Sequence, residues 1–217
     1  MIERDYIMRM IDLLAKVLAR VIFLKKSLDF PKAADELASA CRNLLGLDRD
    51  VIRIMDDDNL ISLLSTDESM IGSKCYVLGM LLREEAGLSI VQGRLEEAVS
   101  LNVKALYLLT EAYIRADGEI VPTHPAAIDE VLTDLHGTPL PTKTLKHLIL
   151  VFEKTGRFDK AEDLLFDLVD RDPDAIAAGL EFYQRLLQKD DGALERGNLP
   201  RSEIKEAIQE LHERSAH

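Results

Sequence analysis

The 217-residue chain is 47% hydrophobic and 30% charged, a globular balance that excludes a disordered polar chain. Aromatic residues make up only 5% and Trp is absent, so the core must be aliphatic, which suits helix packing better than a sandwich or barrel. With 27 Lys/Arg against 39 Asp/Glu the net charge is −12, a surface that repels phosphate backbones and argues against nucleic acid as a partner.

The first helix is expected over residues 2–27. Ile2, Tyr6, Met10, Leu13, Leu14, Val17, Val21 and Leu24 recur at steps of three and four. Ile7, Ile11, Leu18 and Ile22 widen the apolar surface, so this helix must be covered on two sides, by later helices or by a second copy of the chain. It is also basic: residues 1–32 carry seven Lys/Arg against four Asp/Glu, leaving −15 for the remainder. Asp12, Lys16 and Arg20 interrupt its apolar residues, which argues against a secretion signal and against a membrane span of roughly 20 apolar residues. A cytoplasmic protein is therefore expected.

Asp29-Phe30-Pro31 breaks the chain, and Pro31 suits the first turn of a helix over 31–45 that stops at Gly46. Shorter helices are expected near 48–56 and 58–65. Ser65-Thr66-Asp67 would cap a long helix over 68–91, Gly93 turns the chain into 95–116, and Asp117-Gly118 ends it. Residues 117–124 read as irregular. Pro125 opens a helix to His136, stopped by Gly137. Pro139 and Pro141 form a stiff connector, with Thr142 as cap of a helix over 143–155. Gly156 turns into 158–171, Asp172-Pro173 starts 173–189, residues 192–200 read as a loop, and Ser202 caps a last helix with Ile204, Ile208 and Leu211 facing inward. No alternating run argues for a strand.

Internal similarity carries more information than any single element. In Leu145–Pro173, LKHLILVFEKTGRFDKAEDLLFDLVDRDP, large apolar residues fall at Leu145, Leu148 and Phe152. Gly156 makes the turn, and Phe158, Ala161, Leu165, Leu168 and Pro173 follow. This stretch resembles a tetratricopeptide repeat, with Ile149 where a small residue is usual. Ala161 would let two helices approach closely, and Phe158 would fill the angle where they diverge. Partial copies are expected over 79–110 (Gly93, Leu95, Ala98 and Ala105, with polar Asn102 inside) and over 15–45 (Phe30, Ala33, Leu37 and Ala40). The best copy spans 143–173. Ile2-Glu3-Arg4-Asp5-Tyr6-Ile7-Met8-Arg9-Met10, Leu44-Leu45-Gly46-Leu47-Asp48 and Leu60-Ile61-Ser62-Leu63-Leu64 further resemble a bacterial family of tetratricopeptide-like proteins of uncharacterised role. The resemblances imply an all-α, right-handed stack of helix hairpins, an α-solenoid, as a single domain over 1–217. They bring no activity with them.

Chemistry-bearing motifs are sparse. His124, His136, His147, His212 and His217 include no HExxH or short metal-ligand spacing. Asp170, Asp172, Asp174 and Glu181 match calcium-loop positions, but Ala175 stands where the sharp turn needs glycine. Asp56-Asp57-Asp58 reads as a solvated helix junction. Cys41 and Cys75 read as buried reduced thiols without a CxxC. No nucleophile elbow or phosphate-binding glycine loop is present, so neither an enzyme nor a cofactor is expected. In stacked hairpins the first helices line a concave surface. The resemblance aims Lys143, Lys146 and Lys154 of the best copy, and Arg83 of the preceding one, at that surface. The expected partner is then a protein or peptide, best an acidic segment. Two alternatives stand beside it: a structural homo-oligomer, such as a homodimer, assembled through the first helix, and an enzyme.

Overall fold

The computed structural model describes residues 2–65, 68–116 and 125–215, and among these every regular element is helical. The chain divides into two compact units, Met1–Pro139 and Leu140–His217, with the boundary in the Pro139–Pro141 connector. The first contains α1 (Ile2–Lys26), α2 (Phe30–Ala40), α3 (Arg49–Ile54), α4 (Asp57–Leu64), α5 (Ile71–Val91), α6 (Leu95–Arg115) and α7 (Ala126–Asp134). The second contains α8 (Thr142–Lys154), α9 (Phe158–Arg171), α10 (Ala175–Leu187), α11 (Asp191–Arg196) and α12 (Arg201–Ser215). The expected irregular stretch 117–124, including His124, lies outside the described residues, as do Thr66, Asp67 and His217.

The first unit is organised around α5. Apolar residues fall on every side of this helix, with Ile71, Cys75, Val77, Leu78, Leu81, Leu82 and Leu88 all buried, and such a helix must be surrounded. It packs against α1, α2, α4 and α6. Its closest partner is α6, joined through the left-handed Gly93 at φ +74°. Small residues make the close approach geometrically feasible. A β-carbon on Gly79 would lie 3.3 Å from the Ala105 carbonyl, and one on Gly72 would lie 3.5 Å from that of Ala112. Gly72, Gly79 and Ala86 follow at steps of seven on α5, and Ala98, Ala105 and Ala112 do so on α6. In one antiparallel register they oppose each other pairwise, so the seam runs along both helices.

Helix α1 buries Ile7, Met10, Leu14, Val21 and Leu24 and packs on α2 and α5. Tyr6, Met8, Leu13, Ile22 and Phe23 remain exposed, Phe23 at 59%. Asp29 caps α2 by accepting the Lys32 backbone N–H, with Pro31 in the first turn. The expected helix to residue 45 changes form at Ala40. Cys41–Leu45 is a single π-helical turn, closed by Gly46 at φ +69°. Lys104 of α6 holds the end of α3, donating to the Ile52 carbonyl at 2.9 Å and the Met55 carbonyl at 2.5 Å, which satisfies carbonyls a helix end leaves open.

In the second unit α8 and α9 form a hairpin through Gly156 at φ +72°. Phe158, Ala161, Leu165 and Leu168 are all buried. Helix α10 packs on α9 and α12 at Gly179, where a β-carbon would lie 2.9 Å from Leu211 Cδ1 and 3.2 Å from Leu165 Cδ1. Gly197 sits against Phe158 and the Gly156 carbonyl, and its own carbonyl accepts the Asp159 N–H at 3.1 Å.

Several expected boundaries shift for identifiable reasons. The loop read over 192–200 contains α11, because Asp190 caps a helical turn by accepting the Ala193 N–H at 2.9 Å. Thr142 and Ser202 lie inside the first turns of α8 and α12 rather than capping them. Helix α10 starts at Ala175, two residues beyond Pro173. Leu95 is 62% exposed, whereas Phe158, its counterpart in the repeat reading, is 3% exposed. Among the described residues no helix is long and apolar enough to cross a membrane.

Candidate functional site

Three of the four basic residues singled out from the sequence share α8. Lys146 and Lys154 are exposed and Lys143 is half-buried. Lys146, Leu150 and Lys154 recur at steps of four, so they form one stripe along the helix. Leu150 is 40% exposed, an apolar side chain between two ammonium groups. The Lys146 ammonium stands 3.5 Å from the Asp172 carboxylate beyond α9, an exposed pair of little energetic weight. Glu153, next to Lys154, is held by a two-point bond from Arg185 of α10 at 2.9 and 2.7 Å. Arg83 belongs to the first unit, where it is half-buried on α5 and ion-paired with Glu130 of α7.

The sequence reading missed a second basic constellation. Glu85 on α5 is 1% exposed and accepts Arg49 Nε at 2.6 Å and Arg53 Nε at 2.8 Å. Arg53 also bridges to Glu97 of α6, and Arg94 Nη1 reaches Glu97 at 2.6 Å. The Glu85 carboxylate, first opposed by desolvation, holds the Arg53 guanidinium above its ordinary pKa together with Glu97. The available signal was Glu84-Glu85 within an otherwise apolar helix. Carboxylates there demand buried partners. Glu84 finds its own in Lys25 of α1, at 2.8 Å.

The remaining candidate chemistry is dispersed. Cys41 and Cys75 are buried free thiols, and burial pushes each up to about 12, too high for a thiolate nucleophile at neutral pH. Asp170 accepts from Arg214 at 2.5 Å, and Asp172 faces Lys146, so both carboxylates serve ion pairs within the second unit. His136 and His212 are exposed and His147 is half-buried. Among the described residues no three His, Cys, Asp or Glu side chains converge as a metal site.

What these observations define is an all-helical protein of helix hairpins, with a lysine stripe on α8 and an arginine–glutamate cluster joining α3, α5 and α6. The chain belongs to a family of unknown function, DUF6483, whose model matches residues 1–216. No curated protein and no solved structure matches it.

Proposed function

We propose that the chain is a tetratricopeptide-like scaffold, a right-handed stack of helix hairpins that binds a protein or peptide segment in the cytoplasm. The observation that carries this reading is the exposed Lys146–Leu150–Lys154 stripe on α8. Two ammonium groups flanking an apolar side chain match a segment in which carboxylates flank an apolar residue. The charges set register and orientation, and desolvation of Leu150 supplies affinity. Lys143 extends the same helix face toward its start. Arg83 belongs to the first unit, where it is already paired with Glu130. The net charge of −12 supports a partner that is neither nucleic acid nor an anionic membrane surface. The reading assigns the protein no cofactor and no catalytic step.

Fluorescence anisotropy with a labelled Glu/Leu peptide tests it. The expected result is saturable binding that weakens at least about tenfold in Lys146→Glu/Lys154→Glu, a loss of about 1.4 kcal/mol. Equal binding by the wild type and the double variant contradicts the reading.

A second reading, a homodimer through α1, is favoured by exposed Tyr6, Met8, Leu13, Ile22 and Phe23 on a helix whose other side is already covered. Light scattering across a concentration series distinguishes it. A dimer mass that Leu13→Glu/Phe23→Glu reduces to the monomer supports it, and a monomer mass at every concentration rules it out.

A further inference from the structure

Phe30, Pro31 and Ala34 at the start of α2, Arg49 and Arg53 on α3, and Gln92 and Arg94 at the α5–α6 turn line one open surface pocket of about 470 Å³. That volume is within the range of small-molecule sites. Two features set it apart from ordinary surface ion pairs.

Its charge is unbalanced. Among the described residues, Arg49, Arg53 and Arg94 pair with two carboxylates, Glu85 and Glu97, and Arg94 also donates to the Gln92 amide, so the cluster carries one excess positive charge. Its arginines are also held in place. Glu85 is buried and anchors Arg49 and Arg53 from below, while Glu97 ties Arg53 to Arg94. The side chains of Arg49, Arg53 and Arg94 stay 20%, 29% and 46% exposed, which leaves guanidinium edges open to the cavity. A guanidinium offers five N–H donors in a fixed fork, and two carboxylates and one amide use only part of three such forks. The same pocket is lined by Phe30, Pro31 and Ala34, which offer it carbon.

From this we propose that the pocket binds a small organic oxyanion, a carboxylate or phosphate carried on a flat apolar group. The oxyanion takes the guanidinium forks of Arg49, Arg53 and Arg94, and the flat group lies on Phe30 and Pro31. Arg49 and Arg53 are pre-positioned by Glu85, so little side-chain entropy is lost on binding. The site rests on residues other than the α8 stripe and is tested without any peptide, so the two readings fail separately.

The test is isothermal titration of the full chain with inorganic phosphate, phenyl phosphate and benzoate at constant ionic strength, with benzyl alcohol as the neutral control. Arg94→Glu and Ala34→Glu each place a carboxylate at the pocket without removing a partner of buried Glu85. A thermal melt of each variant verifies folding. The expected result is saturable binding of phenyl phosphate or benzoate, at least fivefold tighter than inorganic phosphate, and weakened at least tenfold in each variant that folds. Preference for phenyl phosphate assigns a phosphate ligand, and preference for benzoate assigns a carboxylate. The proposal is overturned by no saturable binding of either aromatic anion, by binding unchanged in the variants, or by benzyl alcohol binding as well as the anions.

Discussion

Gly79 of α5 lies directly against Leu109 of α6: a β-carbon at position 79 would come within 2.8 Å of Leu109 Cγ. The atom in the way is in the middle of that side chain, with the Ala105 carbonyl close behind at 3.3 Å, so neither can swing aside cheaply. Gly79→Ala should therefore destabilise the first unit by about 1–3 kcal/mol through overpacking, outweighing a helix-propensity gain of about 1 kcal/mol. Gly72 on the same helix has its nearest neighbours at 3.4 and 3.5 Å, ordinary contact. Gly72→Ala should be neutral or stabilising by up to about 1 kcal/mol. Urea unfolding of the pair separates these signs, and equal shifts in both would contradict the α5–α6 seam.

Removal of the Glu85 charge exposes the cost of the arginine cluster. Glu85→Gln leaves Arg49 and Arg53 partly buried without their shared carboxylate, and breaking such a pair costs about 3–5 kcal/mol. Glu96→Gln, an exposed neighbour on α6, should change stability by no more than about 0.5 kcal/mol. Denaturant midpoints at constant slope measure both.

The helical class, most boundaries and the α8–α9 hairpin were legible because they follow from local signals. Gly93, Gly137 and Gly156 all adopt positive φ at the ends of helices, and Ala98 and Ala161 are buried as close packing requires. Less legible was anything that depends on residues distant in sequence. The sequence pattern aligns Leu95 with Phe158, yet Phe158 is covered by Gly197 whereas Leu95 stands in solvent. No local pattern distinguishes the two. The Arg49–Glu85–Arg53 cluster joins α3 to α5 across more than thirty positions of chain, and periodicity cannot pair such residues. Lys146 and Lys154 were legible as one face of α8, but the Lys146–Asp172 and Arg185–Glu153 pairs depend on how α9 and α10 return. The π-helical turn at Cys41–Leu45 has the same apolar pattern as an α-helix end, so spacing alone could not reveal it.

The two cysteines should be silent in the folded protein. Burial pushes both thiols up to about 12, and both are covered by packing. A thiol-reactive chromogenic disulfide at pH 8 should therefore label neither in native buffer and both in denaturant. Labelling of either at the rate of a free thiol would contradict the packing of α5 and of the π-helical turn.

Glu162 should contribute stability to the second unit that is lost as pH rises through the weakly acidic range. Burial raises the Glu162 carboxyl above its ordinary 4.5, opposed by the Tyr183 hydroxyl that donates to it and assisted by Glu203, Asp163 and Glu210. The folded state then binds the proton more tightly than the unfolded state. Its stabilising contribution is complete below pH 4.5 and is lost as pH rises through the folded value. Glu162→Gln keeps an acceptor for Tyr183 and removes the titration, so its stability should vary less between pH 4.5 and neutrality than that of the wild type. A profile of the same slope in both proteins would reject the assignment.

Exchange of the charges across the α8 stripe tests the binding account most directly. Lys146→Glu/Lys154→Glu should lose the Glu/Leu peptide and gain a Lys/Leu peptide of the same length, with both affinities read by anisotropy at the same salt concentration. Recovery of binding by the charge-swapped pair is the predicted result; indifference of both proteins to the sign of the peptide's charge would contradict it.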